Sequence, residues 1–168
     1  MVCQILRAQT TFWELRDASG VRRITFVGKE EWHLDWKPAD SFAILDEHPL
    51  LLDYTEPWSS IFISGTHPSP EVVAEDLRHI IATMLAGWRQ PSTYLTKTDA
   101  ARMLHEGYGL LLSAPQSVSA AASSLLGSAG IPHRVLATRW AAGAHRLLLI
   151  GSSFVVARDF RVAAASPN

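Results

Sequence analysis

One cysteine, Cys3, is all the thiol in this chain of 168 residues. A single thiol closes no intrachain disulfide and builds no thiolate zinc cluster. It also lies near a terminus with no histidine beside it in sequence, which argues against a catalytic thiol. An excess of one charge is lacking too. Fifteen Lys and Arg stand against 16 Asp and Glu, leaving a net charge of −1. Nucleic acid is gripped by a basic footprint, and Arg22–Arg23 and His133–Arg134 are too short to make one. No nucleic-acid partner is expected. Long apolar runs are missing as well: Leu147 to Ile150 is far too short to span a bilayer. Met1 to Arg7 reads as a first strand rather than a secretion signal. These absences point to the cytoplasm of a bacterial cell, with no membrane partner.

The chemical signatures that carry most enzymes are also absent. No Walker A pattern and no G-x-G-x-x-G occurs, and no G-x-S-x-G elbow. Gly151-Ser152-Ser153 lacks the second glycine of that elbow. Neither H-E-x-x-H nor an EF-hand loop is found. No cofactor is expected. The turn Ser113 to Ser117 joins an apolar strand to a helix, whose first amides could hold an anion, although Pro115 offers no N–H.

What remains is apolar for its size, at 48% hydrophobic and 18% charged residues. The length suits a single globular domain over residues 1–168 with a sizeable core. Apolar surface is left over for an interface, compatible with a homodimer. Phe12 to Arg16 and Val21 to Val27 flank Asp17-Ala18-Ser19-Gly20, a β-hairpin pattern. Glu31 to Trp36 alternates Trp32, Leu34 and Trp36 against His33 and Asp35, a period of two. Trp58 to Ser64 gives another strand.

The period then changes. Ser69-Pro70-Glu71 starts a helix that carries Val73, Leu77, Ile80, Met84 and Trp88 to about residue 89. Thr96 and Asp99 form a capping-box spacing for a second helix, stopped by Gly107. Tyr108 to Ser113 is a strand and Pro115 to Leu126 a helix. Arg134 to Trp140 and His145 to Ile150 read as a hairpin, with Phe154 to Ala157 after it. The tail from about residue 163 is expected to fray. This order gives an α+β fold: a mostly antiparallel sheet, two or three helices on one face, and room for one β-α-β crossover in the last third.

The densest chemistry lies between Phe42 and Gly65, where Asp46, Glu47, His48, Asp53 and Glu56 alternate with apolar runs, Tyr54 and Trp58. Buried polar groups need partners, so the stretch is a hydrogen-bonded turn or a binding edge. A metal here would take Asp46 and His48 as ligands. The bland reading has these two cap a turn while Leu50 to Leu52 fill the core. The seven histidines each have an ordinary local explanation; His105, for example, suits a helix C-terminus. Six tryptophans include Trp32 and Trp36 on one strand face beside Asp35, an acidic aromatic patch of the kind that anchors interfaces.

Two functions follow. The first is a non-catalytic protein-interaction protein, immunity- or antitoxin-like or an accessory subunit. Its partner, a toxin or an enzyme subunit, meets Trp32, Asp35 and Trp36 or the segment Asp46, Asp53, Tyr54, Glu56 and Trp58. The second is a small enzyme or ligand-binding domain whose pocket lies where Asp46, His48, Asp53 and Glu56 converge.

Overall fold

The computed structural model of the protein describes residues 2–40, 42–96, 99–140 and 143–165. In chain order the strands are β1 (Gln4–Ala8), β2 (Phe12–Asp17), β3 (Gly20–His33), β4 (Phe42–Leu45), β5 (Trp58–Ile63), β6 (Gly109–Pro115), β7 (His133–Arg139), β8 (Arg146–Ile150) and β9 (Ser153–Ala164). The α-helices are α1 (Leu52–Thr55), α2 (Pro70–Leu85), α3 (Ala100–Glu106) and α4 (Gln116–Ser128). The fold is α+β and its strand pairings are antiparallel, as the element order predicts. The chain divides into two compact units, Met1–Leu51 with Ala144–Asn168 and Leu52–Gly143.

The first unit is a six-stranded sheet in the order β1-β2-β3-β9-β8-β4. Its hairpin lies where the sequence places it. Ser19 donates from both amide and hydroxyl to the Asp17 carboxylate, and Gly20, at φ 122°, closes the turn. Alternation along β2 and β3 buries Trp13, Leu15, Ile24 and Phe26. Trp13 lies opposite Ile24 and meets Phe26 edge to face at 5.7 Å. Strand β3 does not stop at Val27. Gly28 takes φ 61°, the register shifts between Lys29 and Glu31, and pairing with β9 continues to His33. The separate strand expected over Glu31 to Trp36 is therefore the far end of β3, and Leu34 to Trp36 lie beyond it.

Strand β8 is apolar on successive residues: Leu147, Leu148 and Ile150 are all buried. A strand of that kind is satisfied inside a sheet rather than at an edge. It sits between β4 and β9, and Gly151 and Ser152 turn the chain tightly into β9. The hairpin expected between residues 134–140 and 145–150 does not form, because β7 pairs with β5 in the other sheet. Pairing of Ala163 and Ala164 with Arg23 and Arg22 also holds the chain as strand where fraying is expected to begin.

The second unit is a three-stranded sheet, β6-β5-β7. Both outer strands run antiparallel to β5 and hence parallel to each other, and α4 carries the chain between them. This is the expected crossover, split by a central strand. On α2 the residues Val73, Leu77, Ile81 and Leu85 are buried against Ile61, Leu111, Leu112, Val118 and Leu126. Each such side chain contributes about 1.5–3 kcal/mol by leaving water.

Helix α2 is shorter than its stripe predicts. Ala86 turns left-handed at φ 48° and hands its amide to Thr83, leaving Trp88 half-buried beyond the helix. Ser69 holds the cap position, but its hydroxyl makes no cap bond and Pro70 supplies the start. The capping box is displaced as well. Asp99 itself is the cap of α3, accepting from the Ala101 amide at 3.1 Å, while the Thr96 hydroxyl meets Met103 Sδ. Among the described residues, no helix is long and apolar enough to cross a membrane.

Candidate functional site

Asp53 is the hub of the second unit. It lies in the short helix α1, and its carboxylate is gripped on both oxygens. Tyr94 donates to Oδ1 at 2.8 Å and Arg89 Nε lies 3.0 Å from Oδ2. The two ion-pair side chains are 14% and 17% exposed, so solvent screens the pair little. The Asp53 carbonyl accepts from Arg139 Nη2 at 2.7 Å and from Trp58 Nε1 at 3.4 Å. The Arg139 guanidinium lies 4.4 Å from the centre of the Trp58 ring, which meets Tyr94 edge to face at 5.8 Å.

Glu56 has a different task. Helix α4 follows Pro115, whose side chain offers no cap. Glu56 Oε2 accepts from the Ser117 amide at 2.7 Å, and the Pro57 carbonyl accepts from the Gln116 amide at 2.8 Å. The anion at this helix start is thus a carboxylate of the same unit. Of the sequence candidates Asp53, Tyr54, Glu56 and Trp58, three have named roles inside the unit, and all four are half-buried.

Asp46 and His48 belong to the first unit and serve separate ends. Arg146 Nε donates to Asp46 Oδ1 at 2.7 Å, and its Nη1 lies 3.5 Å from Asp159. The bond from Asp46 holds the guanidinium pKa above its ordinary value. His48 Nδ1 accepts from the Leu50 amide at 3.2 Å, capping the turn that sends Leu50 and Leu51 into the core. Burial pushes the His48 pKa down. Among the described residues no three His, Cys, Asp or Glu side chains gather as a metal site.

No family model, curated protein or solved structure matches the chain.

Trp32 and Trp36 are exposed, at 47% and 55%, as is Trp140 at 86%. The Lys29 ammonium lies 5.1 Å from the Trp32 ring centre. Between the two rings the backbone is pinned. Ser153 Oγ accepts from the Asp35 amide at 2.8 Å and donates to the Asp35 carbonyl at 2.6 Å. Ser152 donates to the Asp35 carboxylate at 2.8 Å, and this bond, with one from the Lys37 amide, holds the Asp35 pKa below the ordinary range. The sequence alternation sets Trp32 and Trp36 on one strand face, but β3 ends at His33 and Trp36 lies beyond it. The partners of Asp53 left no such mark, since Tyr94 and Arg139 lie 41 and 86 residues further along the chain.

Proposed function

We propose that the chain is a protein-binding protein whose contact surface is the rim carrying Trp32, Asp35 and Trp36. The observation that carries this reading is the exposure of two large rings on a backbone that buried Ser153 clamps from both sides. Tryptophan is enriched at the energetic centres of interfaces. A clamped backbone lowers the ordering cost of presenting it. Residues 29 to 40 hold Glu30, Glu31, Asp35 and Asp40 against Lys29 and Lys37, so the rim steers a basic partner. Such a protein acts as an immunity- or antitoxin-like neutraliser or as an accessory subunit, and the identity of the partner separates these roles.

The test compares tagged wild-type chain with Trp32→Ala/Trp36→Ala in capture from the native cell, with both proteins melted in parallel. A stoichiometric basic partner, held by wild type and lost by a variant of unchanged melting temperature, supports the reading. Equal capture by both proteins removes the rim from consideration. If the partner is a second copy of the chain, sedimentation finds a dimer that the variant lacks.

A further inference from the structure

Hydroxyls inside helices ordinarily donate to the carbonyl one turn back. Ser119 does so to Pro115 at 2.9 Å, Ser128 to Ser124 at 2.9 Å and Thr83 to His79 at 2.9 Å. Ser123, in the middle of α4, is turned elsewhere: its Oγ lies 2.7 Å from His133 Nε2.

The imidazole is held on its other side. His133 Nδ1 lies 2.8 Å from the Ile131 carbonyl. A carbonyl only accepts, so in the neutral ring the proton belongs on Nδ1 and the lone pair of Nε2 faces Ser123. The hydroxyl then donates to the ring. This is a nucleophile, a base and an orienting group in sequence. The segment leading into His133 is fixed. Ile131 is buried in the core, and the Pro132 carbonyl accepts from the Ser64 amide at 2.9 Å.

Ser123 also borders open space. A cavity of about 460 Å³ is lined by Ser59, Gln116, Ser123, Ser124 and Val135 among others, with no charged side chain among the described residues of its wall. That volume lies in the range of small-molecule sites, roughly 300–1,000 Å³.

We infer that Ser123 and His133 form an acyl-transfer site for short, uncharged carboxylic esters, an activity beyond the binding role of the Trp32–Trp36 rim. Ser123 Oγ attacks the acyl carbon as its proton passes to His133 Nε2. The tetrahedral adduct collapses, the bond from acyl carbon to alkoxy oxygen breaks, and the departing oxygen takes the proton from Nε2 as an alcohol. Water then attacks the acyl-serine and gives a proton to His133. The carboxylic acid leaves as that proton returns to Ser123 Oγ. Ester and water become acid and alcohol, with no further reactant.

The full-length chain is treated with a fluorophosphonate probe and, separately, with p-nitrophenyl acetate. One phosphonyl adduct is expected, mapped to Ser123 by peptide mass spectrometry. Ser123→Ala should abolish it, and His133→Gln should slow it about hundredfold or more, the scale of general-base catalysis. Ser128→Ala, a change on the same helix outside the cavity, should leave labelling within about twofold. Ester hydrolysis should follow the same order across the four proteins. Alanine suits a helix interior, so loss of fold should not obscure the result for Ser123→Ala, and a thermal melt verifies this. The proposal is overturned by a wild-type chain that takes no label, by labelling that persists in Ser123→Ala, or by a rate indifferent to His133.

Discussion

At the residue scale, three ionisable side chains of the described residues each meet a definite partner, although the Trp13 indole N–H and the Ser117 hydroxyl are buried without one. Asp53 holds Tyr94 and Arg89, Glu56 caps α4, and His48 caps the turn before Leu50. His48 makes this matching measurable. Its folded-state pKa is depressed by burial below the unfolded value of about 6.5. A depressed pKa means that the folded state resists the proton. The stability held by neutral His48 is therefore complete above about pH 6.5 and is lost as pH falls through the lower folded-state value. Protonation also places a hydrogen on Nδ1, where the Leu50 amide now donates. His48→Asn keeps an acceptor for that amide without a titrating group. Denaturant melts from pH 8 to 5 should show the variant within about 1 kcal/mol of wild type at pH 8 and less sensitive to acid below pH 6.5. Equal acid sensitivity in both proteins would assign the loss to other groups.

At the scale of elements, periodic patterns were legible and tertiary substitutions were not. The α2 stripe, the β2–β3 hairpin and the Gly107 stop follow from local residues alone. The end of α2 did not: Val73 through Leu85 set the face, while Ala86 adopts φ 48° against its own preference. The cap of α4 was hidden for a different reason, since its partner Glu56 lies 61 residues from Ser117. Two glycines separate tertiary from local constraint. A Cβ on Gly65 would stand 2.6 Å from the ring of Pro132, whose carbonyl already holds the Ser64 amide. A proline ring cannot swing aside. Gly65→Ala should cost about 1–3 kcal/mol through forced displacement of that contact. A Cβ on Gly127, near the end of α4, would meet nothing within 4 Å. Gly127→Ala should instead stabilise by about 0.5–1 kcal/mol through helix propensity. Thermal unfolding of the two variants should move in opposite directions, and a Gly65→Ala chain as stable as wild type would refute the steric account of Gly65.

At the scale of the whole molecule, the composition of the last third concealed which sheet each strand joins. The stretches 134–140 and 145–150 look like hairpin arms because a Gly-containing turn lies between them. The apolar run of β8 decides otherwise, for it belongs between β4 and β9. One unit is therefore continuous in sequence, over Leu52–Gly143, and the other is assembled from both ends of the chain. The second unit holds its own three-stranded sheet, its own capped helices and a core from Ile61 to Ile131. A fragment spanning 52–143 should therefore fold, with mixed helix and strand circular dichroism and a cooperative urea transition. The first unit depends on β9, which pairs with both β3 and β8. A chain ended after Gly151 loses that strand and with it Val155, Ala157 and Phe160 from the cluster that buries Trp13, Ile24 and Phe26. It should keep the second unit's transition and lose the fluorescence of buried Trp13. An unstructured 52–143 fragment would mean that its core is completed only by the rest of the chain. Retention of the Trp13 signal without β9 would mean that β1, β2 and β3 hold a core by themselves.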